Sequence, residues 1–134
     1  MLELTRDMLT GVAKIDEQHK ELISRINAVM NMGSKSASPE ETRKTIDFLN
    51  DYVIKHFGDE EVLQRQAQYP KYEEHKKLHQ IYIGEIRKLR EEFMANGPSP
   101  KFAVSLNNSI IGWIVKHIKN VDVEFGKYCQ TKGI

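Results

Sequence analysis

Four short breaks constrain this chain more than any other feature of it. They are Ser38-Pro39, Tyr69-Pro70, Asn96-Gly97-Pro98 and Ser99-Pro100. A serine at an N-cap accepts a hydrogen bond from the first helical turn, and a proline just after it has no N–H to lose. Each Ser-Pro pair therefore starts a helix. Glu41, three residues after Ser38, completes a capping box. Pro70 disfavours helix at Tyr69, and Asn96-Gly97 supplies a pair tolerant of left-handed backbone. The first helix is expected from near Asp16 to a stop at Gly33, with Ile15, Leu22, Ile26 and Val29 at helical spacing and His19 on the same side. "GSKSASPEE" follows as a loop. The second helix is expected from Pro39 to about Gln66, with Ile46, Leu49, Val53, His56 and Glu60 near one stripe. The third runs from about Lys71 to Ala95 and the fourth from Pro100 to about Lys127. No strand-like alternation appears. Helices of about 25–28 residues are roughly 37–42 Å long, and short connections between them force antiparallel neighbours. The expected architecture is all-α: an antiparallel up-down-up-down four-helix bundle, one domain over residues 1–134, with no internal repeat.

Composition narrows the function classes. The chain carries 20 basic and 19 acidic residues, a formal net charge of +1, without a dense basic run. That balance does not point to a nucleic-acid or membrane-surface binder. No apolar run approaches a membrane span, so membrane insertion is not expected. "MLELTRDMLTGVAKID" has early acidic residues and no uninterrupted apolar core, so a secretory leader is not expected either. The single cysteine, Cys129, cannot form an internal disulfide, which favours a reducing, cytoplasmic setting. It reads as an incidental thiol near a frayed end rather than a redox sensor.

The five histidines carry the chemistry. His75 and His79 are four apart, as are His56 and Glu60. Residues four apart share a helix face, so each pair can aim at one point. His19 comes from the first helix, and His117 and Asp122 from the fourth. A lone histidine on an apolar stripe is more often a core residue than a ligand. Here all five fall on four different helices with none left over, and buried neutral imidazoles need partners. A metal supplies every lone pair with a partner at once. Five nitrogens and two carboxylates exceed a closed tetrahedral zinc site and are too nitrogen-rich for calcium or magnesium. HExxH is absent. A pair of six-coordinate ions fits, with iron preferred and manganese or zinc as lesser options.

The segments "GVAKIDEQHKELI", "HFGDEEVLQRQAQYPKYEEHKKLH" and "WIVKHIKNVD" resemble the hemerythrin family, especially its bacterial members. The ordered set H…HxxxE…HxxxH…HxxxxD runs from His19 to Asp122, nearly the whole chain. The family differs in having aromatics where Leu4 and Met8 stand here, and commonly a methionine at Leu63. The resemblance implies two iron ions in an oxo- or hydroxo-bridged centre. His75, His79 and His117 would bind one iron, His19 and His56 the other, with Glu60 and Asp122 bridging. That leaves one open position, on the His19/His56 iron, where the family binds O2 reversibly as hydroperoxide. A dry, apolar pocket keeps such binding reversible. Trp113, Ile114 and Ile118 lie around His117; the first two can face the cluster, and the resemblance places Ile114 and Ile118 near bound O2.

No spare acid, base or nucleophile accompanies the ligands. The expectation is therefore a non-enzymatic oxygen carrier or store, most simply a monomer, with O2 as its ligand and an oxygen-using enzyme or an electron donor as partner. The rival readings are an oxygen- or redox-sensing module, a di-iron peroxidase or NO-handling oxidoreductase, and an iron store. One geometric difficulty stands out. Residues five apart on a regular α-helix differ by about 500°, or roughly 140° after a full turn. His117 and Asp122 would then face different sides. The fourth helix is expected to be irregular over residues 117–123, through a π-bulge or an unwound turn.

Overall fold

In the computed structural model, residues 2–34 and 38–133 are described. The fold is an all-α four-helix bundle. Its first three long helices are α1 (Ala13–Ser34), α2 (Pro39–Gln66) and α3 (Tyr72–Asn96). The fourth, α4, is one continuous helical run over residues 100–131. A short 3₁₀ turn, Arg6–Met8, precedes them. Among the described residues no helix is long and apolar enough to cross a membrane.

The helix starts follow the local chemistry. Ser38 and Ser99 both cap as expected, their hydroxyls accepting from Glu41 N and Phe102 N at 3.1 Å each. α1 begins three residues before Asp16, because Asp16 reaches back from inside the first turn. Its carboxylate accepts from Thr10 N and Thr10 Oγ1, each at 2.8 Å, and from Gly11 N at 3.2 Å. α1 also runs one residue past Gly33. The middle of the expected loop, residues 35–37, lies outside the described residues. α2 ends as expected before Pro70, with Gln68 in a left-handed conformation (φ 54°) and Tyr69 N donating to Gln64 O at 2.9 Å.

The core is in two parts, and they frame the site. The larger contains Val29 of α1, Ile46 and Leu49 of α2, Phe93 of α3 and Phe102 of α4, all at one end of the bundle, and continues toward the middle through Leu22, Val53, Ile86 and Ile114. A smaller cluster, Ile15, Tyr69, Phe125 and Cys129, closes the other end. Cys129 is therefore not near a frayed end: α4 continues to Thr131, and the thiol is buried. The Tyr128 hydroxyl fastens this last turn by donating to Ala67 O at 2.8 Å.

α4 departs twice from α-helical winding, at Leu106–Gly112 and His117–Asp122, where it forms π-helix. The second segment is the expected irregularity. The first is explained by burial. Residues Phe102, Leu106, Ile110, Ile114, Ile118, Asp122 and Gly126 are all buried, at a strict spacing of four. On a regular α-helix each such step overshoots by about 40°, so six steps turn the stripe by about 240°. One extra residue absorbed per π segment takes back about 100° each time. Two π segments keep nearly the whole stripe on the core.

Residues 2–12 lie across the bundle. Asn27 exchanges two hydrogen bonds with Leu2, at 3.1 and 2.9 Å, and Lys119 pairs with Asp7 at 3.3 Å. Met8 is buried in the main core. The strap crosses α4 at Gly126, where a β-carbon would come within 2.1 Å of Thr10 O. Gly126→Ala is expected to lose about 1–3 kcal/mol by overpacking. Gly84→Ala, where a β-carbon meets nothing within 4 Å, is expected to gain about 0.5–1 kcal/mol. Denaturant unfolding of the two variants checks both signs.

Candidate metal centre

All seven side chains singled out in the sequence converge between the two apolar clusters. His19 comes from α1, His56 and Glu60 from α2, His75 and His79 from α3, and His117 and Asp122 from α4, and every one is buried. They form two overlapping groups: Glu60, His75, His79, His117 and Asp122, and His19, His56, Glu60 and Asp122. Within each group the candidate ligand atoms lie within 4.8 Å of one another. Spacing four suffices for the pairs on α2 and α3. On α4 the π segment brings His117 Nε2 and Asp122 Oδ1 to 3.1 Å across a spacing of five.

The two carboxylates are shared oxygen by oxygen. Glu60 Oε1 lies 2.9 Å from His75 Nε2 and 3.1 Å from His79 Nε2, while Oε2 faces His56 Nε2 at 3.8 Å. Asp122 Oδ1 lies 2.9 Å from His75 Nε2, while Oδ2 lies 3.0 Å from His19 Nε2. His75 Nε2 is also 3.1 Å from His117 Nε2. One nitrogen carries at most one proton and cannot satisfy three such neighbours. Both oxygens of Glu60 and of Asp122 lack a hydrogen-bond partner, as does Nε2 of His19, His56 and His79. Leaving that many buried polar atoms unpaired is costly. A cation among them removes the cost. Ligands about 2.1 Å from a six-coordinate ion sit about 3.0 Å apart along each edge, against about 3.4 Å in a tetrahedron. The separations of 2.9–3.1 Å around the three-histidine group match octahedral edges. The residues present thus form two overlapping groups, each able to hold a metal ion.

Electrostatics agree with a site built for positive charge. Burial and the neighbouring Asp122 push the Glu60 carboxyl up, but the imidazoles of His75 and His79 close against it prevail and bring it down to about 2. Asp122 is likewise held well below the usual range: burial opposes ionisation, and His117, His19 and His75 outweigh it. Burial also disfavours the charged form of His75, yet the carboxylates of Asp122 and Glu60, each 2.9 Å from its Nε2, raise it to about 9. His56 has less compensation, and burial drives it down to about 4.

The sequence reading missed the layer behind the ligands. His56 Nδ1 meets Gln18 Oε1 at 2.8 Å, His75 Nδ1 meets Gln64 Nε2 at 2.6 Å, and His79 Nδ1 meets Glu61 Oε2 at 2.8 Å. The signal was available: Gln18 directly precedes His19, and Glu61 and Gln64 follow Glu60 by one and four residues. Phe57, also missed, stacks on His79 with ring centroids 3.8 Å apart. Trp113 stacks on His117 at 4.7 Å and Tyr82 on Trp113 at 4.6 Å. Ile114 and Ile118 are fully enclosed in the main core beside these rings.

A ligand nitrogen must be unprotonated to bind a metal. At pH 7 a group raised to about 9 holds its proton, so metal entry must displace it from His75. Metal loading at neutral pH is therefore expected to release protons, and the apparent affinity should climb with pH up to about 9. Calorimetric titration in buffers of different ionisation enthalpy measures the release; loading without it would contradict the proton placement.

Comparisons with known proteins agree with this geometry. A family model described as the hemerythrin HHE cation binding domain matches residues 10–129. A bacteriohemerythrin of Pseudomonas paraeruginosa is 31% identical over 121 residues, covering 89% of this chain and 75% of its own length. One from Methylococcus capsulatus is 28% identical, covering 87% of each. A myohemerythrin of Sipunculus nudus is 29% identical, covering 83% of this chain and 79% of its own. Among solved structures, wild-type hemerythrin superposes with a TM-score of 0.82 at 26% identity, covering 95% of this chain and 96% of the other.

Proposed function

This chain belongs to the hemerythrin family, and on that footing we propose that its seven converging side chains hold two iron ions and that the protein binds O2 reversibly, as a carrier or store and not as an enzyme. The observation that carries the reading is the division of each buried carboxylate between two sets of imidazoles. His75, His79 and His117 would hold one iron, His19 and His56 the other, and Glu60 and Asp122, common to both groups, would serve each. Bound there, the iron pair would supply redox electrons and a place to bind a diatomic ligand.

The chain's own residues supply the surroundings. Ile114 and Ile118, with Phe57 and Trp113 stacked on ligand rings, exclude water from the interior beside the cluster. No further acid or histidine is buried among the described residues. The buried Tyr82 hydroxyl is committed to Ile110 O at 3.0 Å, and burial pushes its pKa far up. The interior thus offers few proton donors to drive a bound ligand onward, which favours a carrier over an oxidase or peroxidase. The buried Cys129 thiol suits a reducing, cytoplasmic setting.

Metal analysis of iron-replete protein is expected to find two irons per chain. The anaerobically reduced protein should gain a visible absorption band in air and lose it when O2 is removed. A single ion, or a band that does not reverse, would overturn the carrier reading. Ile118→Asn places a polar group in the apolar wall and is expected to speed conversion to the oxidised, inactive form severalfold. Stopped-flow and overnight spectra of the oxygenated protein follow that rate.

A further inference from the structure

The outward nitrogens of the histidines meet different neighbours, and one of these neighbours is itself oriented. Asp59 lies behind Gln18 on the side away from the cluster, with Gln18 Nε2 at 2.8 Å from Asp59 Oδ2. An ionised carboxylate only accepts hydrogen bonds, so Gln18 must turn its amide NH2 toward Asp59. That leaves Gln18 Oε1 facing His56 Nδ1 at 2.8 Å. An amide oxygen also only accepts, so the His56 proton is on Nδ1. The lone pair is then on Nε2, which points into the cluster without a hydrogen-bond partner. Lys55, one turn before Asp59 on α2, holds the carboxylate in place at 3.0 Å.

His75 supplies the contrast. Its Nδ1 also meets a glutamine, Gln64, but the other end of that amide, Oε1, is buried without a partner. Among the described residues nothing fixes which way the Gln64 amide turns, so it can follow whichever protonation state His75 takes. At His19 the outward Nδ1 has no hydrogen-bond partner among the described residues. Of the two glutamines, only Gln18 has its orientation dictated from behind.

We infer that Asp59 is a positioning residue for the two-histidine half of the centre: through Gln18 it fixes His56 in the Nδ1–H tautomer and so presents the Nε2 lone pair before any metal arrives. The half-site with fewer protein ligands has the greater need of such preparation, because it has fewer contacts to pull a wrong tautomer into line. Partners behind metal-binding histidines commonly carry a tenfold to hundredfold share of affinity. The inference rests on the reading of the seven side chains as metal ligands.

The test is a long-range ¹H–¹⁵N correlation spectrum of the histidine rings in metal-free protein. In the unaltered chain His56 is expected to show the Nδ1–H pattern. In Asp59→Asn, whose side chain can donate as well as accept, Gln18 is free to turn, and His56 is expected to become mixed or Nε2–H while His75 keeps its pattern. Adding Gln18→Glu to Asp59→Asn should restore Nδ1–H, because a carboxylate beside His56 accepts without help. Zinc titration should show the second ion weakened about tenfold to hundredfold in Asp59→Asn and recovered in the double variant. An Nε2–H pattern in the unaltered chain, an unchanged His56 in Asp59→Asn, or no recovery in the double variant would each overturn the inference. Circular dichroism and melting of each variant separate a tautomer change from misfolding. Since the tautomer is read without metal, it stands or falls independently of iron uptake, which tests the reading of the centre itself.

Discussion

Two carboxylates buried to the last oxygen atom are the constraint on which the rest of this molecule depends. Glu60 and Asp122 sit on different helices, α2 and α4, and each divides its oxygens between imidazoles of its own helix and of others. Burying an ionised carboxylate costs several kcal/mol unless it is paired and hydrogen-bonded. Two of them side by side are tolerable only where positive charge gathers around them. Imidazoles from all four helices surround them, and a cation held among these would meet that demand. The same demand fixes the helices relative to one another, because a helix displaced by even one residue would leave a buried charge alone.

α4 shows what the demand costs in backbone. It must bring both His117 and Asp122 to the cluster while keeping Phe102, Leu106, Ile110 and Ile114 on the core. A regular α-helix cannot do both. Two π segments, Leu106–Gly112 and His117–Asp122, absorb the excess residues. One of the carbonyls in the first segment, Ile110 O, accepts from the buried Tyr82 hydroxyl. The second segment lies under the N-terminal strap, where Lys119 pairs with Asp7. Gly126, one turn beyond, lets the strap approach closely. The irregular helix is thus secured from the core side and from the surface.

The two halves of the centre also differ behind their ligands. Around the three-histidine group, Glu61 accepts at His79 and Gln64 faces His75 with a free amide end. Around the two-histidine group, the support at His56 extends through Gln18 to Asp59 and Lys55, and at His19 there is none among the described residues. The richer ligand set has short, local support. The poorer set depends on a chain of polar groups that reaches the surface.

The sequence by itself determined the helices and the seven side chains that converge. Ser38-Pro39 and Ser99-Pro100 start helices through capping chemistry that acts within four residues, and spacing four places His56 with Glu60 and His75 with His79 on any helix. Spacing five between His117 and Asp122 even announced the second π segment, because the angular mismatch is a property of one helix alone. The first π segment was equally implicit in the period-four stripe from Phe102 to Gly126, but only burial shows that every member of the stripe faces inward. Tertiary structure alone decided the fate of Cys129, which helix packing buries against Ile15, Tyr69 and Phe125. It alone decided the partners of the outward histidine nitrogens, since Gln18 and His56 are 38 residues apart, and Gln18 and Asp59 41. Periodicity places a side chain on a face; which atom of that side chain donates, accepts or stays bare is settled only when another helix arrives beside it.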